Sequence, residues 1–542
     1  MLRVSAAGRW SAMALRYRVA HLVLALIAGL AQAASVAWPL SMDASWMALL
    51  SLQPGQPVWW LQLLAMGVLA GLLDRCPGWR TAALTGWLFA TAWLAGTFWW
   101  TFIALHTYGG LPAILGVIAV LALAGLLAVY YALVCGVFSA LADVNKAWSA
   151  IVFSILWLLA ELARGRWFTG FGWGATGYAH VDGPLAAFAP WMGLYGLCAL
   201  SAWVAMTLAQ GLVPATRASV NLGRLGWRRL LVVPLLLSLP LVYQLTQAPH
   251  TIPTGTLAVT LLQGNIPQDE KFETGTGVPQ ALRWYGEQLQ NNSTALVIAP
   301  ETAIPILPQQ LPPDYWEAIQ QRFATGSQAA LIGMPLGDAN AGYTNSVVGL
   351  KAGQAEPWRY DKHHLVPFGE FIPPFFKWFT EMMNIPLGDF NRGPLGQAPF
   401  EWQGQRLAAN ICYEDLFSEE LGVLFADPTR APTIFVNVSN LAWYGQSLAM
   451  DQHLQIARLR AKEFERPFLL ATNTGVTAIV DHRGQVVSAL ARDTRAALVG
   501  EVQGRTGTTP YAWWVARWGL WPLWLLAWGL VALAWVLHLR KR

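Results

Sequence analysis

The sequence predicts two structural classes in one chain. One is a multi-span α-helical membrane domain of about eight transmembrane helices. The other is an α/β domain set between the last two of them. Three observations predict this. Hydrophobic residues make up 55% of the 542 residues and charged residues 12%, a membrane-like balance. Apolar segments follow one another from residue 20 to residue 247. The chain then changes character and alternates strand-like with helix-like runs. The predicted units are a membrane domain at 1–248, an α/β domain at 249–508, and a last helix with a basic tail at 509–542. The 30 tryptophans suit interfacial belts.

The expected spans are 20–37, 57–73, 81–104, 111–141, 148–163, 185–210, 230–247 and 513–537. Each is long enough, or nearly so, to cross roughly 30 Å of hydrocarbon. The run 111–141 exceeds that need and implies tilt or an interfacial part. Arg3, Arg9, Arg16 and Arg18 before Leu22–Ala31, with Ala31-Gln32-Ala33 after it, give a signal-peptide profile. The spans that follow at once favour an uncleaved first membrane helix. Loop charge then places both termini in the cytoplasm and 250–508 outside, in the periplasm of a bacterium. Arg75, Arg80, Lys146, the group from Arg217 to Arg229 and Arg540-Lys541-Arg542 fall inside. Arg164 and Arg166 are the exceptions, beside aromatics in an outer loop. They suit lipid phosphates or ordinary interfacial anchoring. The net charge of +5 therefore reads as topology rather than nucleic-acid binding.

Within 249–508 the strand-like runs are 257–262, 295–298, 329–332, 346–350, 407–411, 433–438, 467–471 and 477–480. Helical patterns cover 279–291, 315–324 and 448–465. About 260 residues can bury a real core. A short strand, Leu407–Ile411, leads to Cys412 and then to Glu414–Phe425, read as an amphipathic helix opening with acids. A thiol at that turn would feel the helix N-terminus, which favours thiolate. Backbone N–H groups there could hold an oxyanion. A buried structural cysteine fits the same stretch equally well. Cys76, Cys135 and Cys198 lie in or beside apolar segments, so no disulfide framework is visible.

Two further strand ends carry ionisable groups. Glu301 ends an apolar strand, where burial suits a carboxylate to proton transfer, although a lone Glu after a strand is commonly a loop residue. Lys362 opens the run Tyr360 to Glu370; alone, it reads as a surface cation. Adjacent His363 and His364 side chains on an extended chain diverge, which argues against a shared metal.

In order, Glu301 after a strand, Lys362 in an Asp-Lys-x-x-Leu-Val-Pro-Phe-Gly-Glu run, and Cys412 in Cys-Tyr-Glu-Asp resemble the nitrilase (carbon–nitrogen hydrolase) superfamily. That superfamily uses a Glu-Lys-Cys triad on an αββα sandwich. The resemblance covers most of 255–500, including Gln263 to Pro267 and Asn473 to Gly475. With seven spans before and one after, the whole chain resembles the apolipoprotein N-acyltransferase family. The resemblance implies Cys412 as nucleophile forming a thioester, Glu301 as general base, and Lys362 with the Tyr413 N–H as oxyanion stabilisers. Glu370 and Glu414 would orient Lys362 and the substrate amine, or form plain structural ion pairs. Trp443 and Tyr444 lie in the family's aromatic loop near the thiol. Phe272 stands where the family has Trp, Tyr444 where Phe is common, and Gly172 where Pro is common.

The implied donor is a phospholipid, with phosphatidylethanolamine giving its sn-1 chain. The implied acceptor is the α-amine of a diacylglyceryl-cysteine on an apolipoprotein. The kinetics would be ping-pong, with no metal or cofactor and a monomer in the inner membrane. The segment 373–383 reads either as a mobile lid or as packed core. A membrane-tethered amidase is the alternative enzyme, distinguished by an acceptor that is water. A transporter would need charges marking a path through the spans; Glu161 is the main one available.

Overall fold

This is a computed structural model. It describes residues 6–41, 50, 52–142, 146–212, 238, 242, 249–372 and 390–540. The expected span 230–247, apart from two isolated positions, and the segment 373–383 lie outside the described residues.

Among the described residues five helices are long and apolar enough to cross a membrane: 18–36, 113–141, 147–169, 184–211 and 521–539. A sixth, Trp79–Thr97 with Thr101–Tyr108, is bent by 63°. Trp59–Leu73 is apolar but shorter. Two expectations are corrected in detail. The span 81–104 breaks at Phe98–Trp100. The span 513–537 is two helices, Pro510–Trp518 and Trp521–Leu539, parted where Gly519 takes φ +54.

Among the described residues the α/β part contains twelve strands. The first sheet holds β1 (Thr251–Gln263), β2 (Leu296–Ala299), β3 (Ala329–Asp338), β4 (Gly342–Lys351) and β5 (Trp358–Asp361). The second holds β6 (Phe400–Trp402), β7 (Gln405–Ile411), β8 (Ile434–Ser439), β9 (Phe468–Thr472), β10 (Ala478–Val480) and β11 (Val486–Ala489). Then β12 (Ala496–Gly507) returns to the first. The orders are β12-β1-β2-β3-β4-β5 and β11-β10-β9-β8-β7-β6. Central pairs β1–β2–β3 and β7–β8–β9 are parallel, the edges antiparallel.

Residue alternation builds the layers. Leu257, Val259 and Leu261 of β1 pack with Leu296 and Ile298 against Leu407, Ile411, Val436 and Val438 of the facing sheet. The other face of the first sheet, with Leu262, Val297 and Ile332, meets helices Gly277–Asn291 and Tyr315–Ala324 through Tyr285, Leu289 and Phe323. The outer face of the second sheet, with Ala408, Phe435 and Leu470, packs on helix Ala449–Phe464. This core continues without a break into the membrane helices. The architecture is therefore an αββα sandwich whose second helical layer is fused to the membrane part.

Polar contacts cross the seam. Gln452 Oε1 accepts from the indoles of Trp100 (3.0 Å) and Trp173 (2.7 Å), and its amide donates to Thr97 O (2.9 Å). Arg458 pairs with Asp182, and Glu463 accepts from Leu194 N at 2.6 Å. The two exceptional arginines lie on helix Lys146–Arg166 rather than in a loop. Arg164 is fully buried, not at a lipid surface. It donates to Glu161 (2.8 Å), Tyr131 (2.9 Å) and the carbonyls of Phe171 and Trp173. Glu161 also accepts from Thr176, so it is a structural partner rather than a marker of a transport path. Arg166 is half-exposed and reaches Glu419 and Glu420 at 3.4 Å.

Candidate active site

The site lies where strands of both sheets end. Cys412 follows β7, Glu301 lies just beyond β2, and Lys362 follows β5. Ile411 pairs in register with Val438, so the chain after β8 lies beside the thiol. Cys412 itself has φ +53, a left-handed conformation rare for a residue with a Cβ. It turns the chain directly from strand into a 3₁₀ turn.

That turn corrects one expectation. The segment 414–425 is not one helix. It is a 3₁₀ turn at Cys412–Leu416, a short helix at Ser418–Gly422 and a second 3₁₀ turn at Val423–Ala426. With no long dipole behind it, the thiol is not eased into thiolate. Burial pushes Cys412 well up, the Glu301 charge adds to this, and Lys362 opposes it. A protonated resting thiol needs a base.

Glu301 is the sequence-predicted candidate. It is buried, and its Oε2 accepts from Asn440 N at 2.9 Å. Its Oε1 accepts from Asn345 Nδ2 at 2.7 Å and faces Lys362 Nζ at 3.5 Å. Glu370 Oε1 takes Lys362 Nζ at 2.9 Å and Asn345 Nδ2 at 2.8 Å, and its Oε2 takes Val366 N at 2.8 Å. Burial works against the Lys362 charge, yet Glu370, then Glu301, then Cys412 raise its pKa overall. Lys362 is thus a fixed ammonium at neutral pH and not the surface cation its sequence alone suggests.

Glu414 is turned to the backbone. It accepts from Ile411 N (2.6 Å), His363 N (2.6 Å), His364 N (3.0 Å) and Tyr360 Oη (2.9 Å), and acts on Lys362 through its charge alone. It ties the segment after β5 to the cysteine turn. Tyr413 reaches across the seam, donating its hydroxyl to Gly170 O at 2.8 Å, with its ring stacked near Phe171. Tyr444 contacts Trp100 (centroids 4.3 Å), and burial, then the Cys412 charge, push its hydroxyl up. Trp443 meets Tyr108 edge-on at 5.8 Å. Aromatics before the α/β part, Trp100, Tyr108 and Phe171, thus meet Tyr444, Trp443 and Tyr413. Phe272 is half-buried beside the site, with Lys271 Nζ 6.0 Å from its ring.

Sequence reasoning missed four neighbours: Asn345, Asn440, Lys271 and His453. Asn345 is mid-strand and buried, a signal that a buried amide needs partners. His453 Nε2 lies 3.2 Å from buried Asp415 and 3.5 Å from Cys412 O. Lys271, buried, donates to Glu301 O at 3.1 Å. Nothing in its local sequence separates it from an ordinary loop lysine.

Known proteins match both parts. A family model described as Apolipoprotein N-acyltransferase N-terminal domain covers residues 44–207, and one described as Carbon-nitrogen hydrolase covers 258–511. The apolipoprotein N-acyltransferase of Verminephrobacter eiseniae (strain EF01-2) is 55% identical over 92% of each chain. The chain belongs to the apolipoprotein N-acyltransferase family. The enzyme of that name from Ralstonia nicotianae (strain ATCC BAA-1114 / GMI1000) is 41% identical over 84% of this chain and 85% of its own. Among solved structures, a carbon-nitrogen hydrolase from Helicobacter pylori G27 aligns at 17% identity over 50% of this chain and 94% of its own, with a TM-score of 0.31.

Proposed function

We propose that this protein acylates lipoproteins through a covalent thioester on Cys412. The observation that carries the proposal is the buried Glu301–Lys362–Glu370 cluster, bridged by Asn345, set at strand ends together with Cys412. The family membership supports the substrates.

In the first half-reaction Glu301 takes the Cys412 proton, and the thiolate attacks the sn-1 ester carbonyl of a phospholipid such as phosphatidylethanolamine. Lys362 and the Tyr413 N–H stabilise the oxyanion. Collapse breaks the ester C–O bond, and Glu301 returns the proton to the lysophospholipid. In the second half the α-amine of a diacylglyceryl-cysteine attacks the thioester and Glu301 takes its proton. The C–S bond breaks and that proton goes back to Cys412. Kinetics are ping-pong, and neither metal nor cofactor takes part.

Residues 249–508 are the catalytic unit in this reading, carried by membrane units at 1–248 and 509–542. The enzyme acts as a monomer in the bacterial inner membrane, with the catalytic unit periplasmic and both termini cytoplasmic. Glu370 orients Lys362, Glu414 orders the cysteine turn, and Phe272, Trp443 and Tyr444 line the lipid pocket. Holding two membrane-bound substrates against a fused site replaces diffusion with positioning.

The test supplies phosphatidylethanolamine and a diacylglyceryl-cysteine peptide, and follows the peptide mass. Gain of one acyl chain with release of lysophospholipid is expected. Free fatty acid with no peptide gain would instead indicate a hydrolase.

A further inference from the structure

The base Glu301 is gripped from three sides. Asn440 N and Asn345 Nδ2 hold its two carboxylate oxygens. The third grip is on its main chain. Thr302, the next residue, has φ +47, so the peptide between them leaves β2 in a conformation a β-branched residue resists. Its carbonyl oxygen is the acceptor of Lys271 Nζ at 3.1 Å.

Lys271 comes from the loop after β1. That loop is itself turned by Lys271 N donating to Pro267 O at 3.0 Å. The same loop carries Gln268, whose Oε1 accepts from the Asn440 side chain at 2.8 Å. One loop thus supports both Glu301 and the residue that holds its carboxylate. Lys271 is 1% exposed, and burial pushes its amine down to about 7 although Glu301 and Cys412 both oppose the fall. A desolvated amine is a costly way to satisfy a carbonyl, and such groups concentrate where a site needs them.

We propose that Lys271 is a positioning residue for the reaction: it fixes the Glu301–Thr302 peptide and so aims the Glu301 carboxylate at Cys412. The inference rests on the reading of Glu301 as the base. Without this contact the peptide can rotate, and a displacement of about 1 Å at the base costs on the order of 100-fold in rate.

The experiment measures the single-turnover rate of thioester formation from phosphatidylethanolamine vesicles by the full-length enzyme in detergent, per folded molecule. Lys271→Met is expected to slow it about 10- to 100-fold with the phospholipid KM unchanged. Lys271→Gln keeps an N–H donor and is expected to stay within about fivefold of wild type. Wild-type rates in Lys271→Met would overturn the inference, as would a rise in KM alone or an equal loss in Lys271→Gln. If Lys271→Met does not fold, Lys271→Gln decides by itself: a loss beyond about fivefold overturns it. Absence of any thioester in the wild type would overturn the functional reading together with this inference.

Discussion

Replacing Glu370 by Gln tests how the site keeps a lysine and a base side by side. Lys362 Nζ sits 2.9 Å from Glu370 and 3.5 Å from Glu301. At an effective dielectric of about 20 these separations correspond to gross attractions of about 6 and about 5 kcal/mol. Glu370 is therefore the stronger partner for the ammonium. Desolvation offsets much of that energy, and removing one member of a buried pair typically costs about 3–5 kcal/mol. Glu370→Gln should lower the melting temperature in detergent by about 10 °C. Lys362 should then close on Glu301, occupying the base and leaving its oxyanion position, so thioester formation should fall about 100- to 1000-fold. The Lys362 pKa is raised in the fold, so its contribution is complete below the ordinary lysine range and is lost only as pH rises through the folded value. The difference between variant and wild type should therefore hold constant across neutral pH. Thermal unfolding and a single-turnover acylation assay measure the two effects. A variant that acylates within about threefold of wild type would refute the reasoning.

Further expectations follow from other contacts. A Cβ on Gly333 would lie 2.2 Å from Pro300 O and 2.8 Å from Glu301 Cα, so Gly333→Ala must shift the strand end that carries the base and should cost about 100-fold in acylation. Burial raises the Cys412 thiol, Glu301 raises it further and Lys362 lowers it. The pH midpoint of its alkylation by iodoacetamide should thus move down in Glu301→Gln and up in Lys362→Met; the reverse order would contradict the geometry. Gln452→Leu strands two indole N–H groups and the Thr97 carbonyl at the seam. At about 1–3 kcal/mol for each stranded group, calorimetry should show a loss of several degrees in melting temperature.

The alternating segments of 249–508 announced themselves because their apolar residues obey a period of two or of 3.6 and are bounded by turn residues. All eight expected strands are present, although β1, β3 and β4 run further than expected. The missed strands are edge or irregular ones. β5, β6 and β11 are short, and β12 carries glycines, Glu501 and Arg505, so no period stands out. Its place is fixed by twelve residue pairings with β1, a tertiary fact. The Glu301, Lys362 and Cys412 positions were legible because each ends an apolar run inside a resembling motif. Glu414 was legible as a site residue but not as a clamp on backbone N–H groups. Arg164 was misread because sequence counts a cation near a span end as interfacial, whereas here the loop folds back to bury it. Asn345, Lys271 and Gln452 act through partners 44, 30 and 352 residues away, beyond any local pattern.

The most direct measurement is intact-protein mass spectrometry after incubation with phosphatidylethanolamine and no acceptor, comparing wild type with Cys412→Ala. A fatty-acyl mass on wild type alone, discharged by a diacylglyceryl-cysteine peptide but stable to water, is the predicted result. An adduct that persists in Cys412→Ala, or none on wild type, would contradict the thioester at the centre of this account.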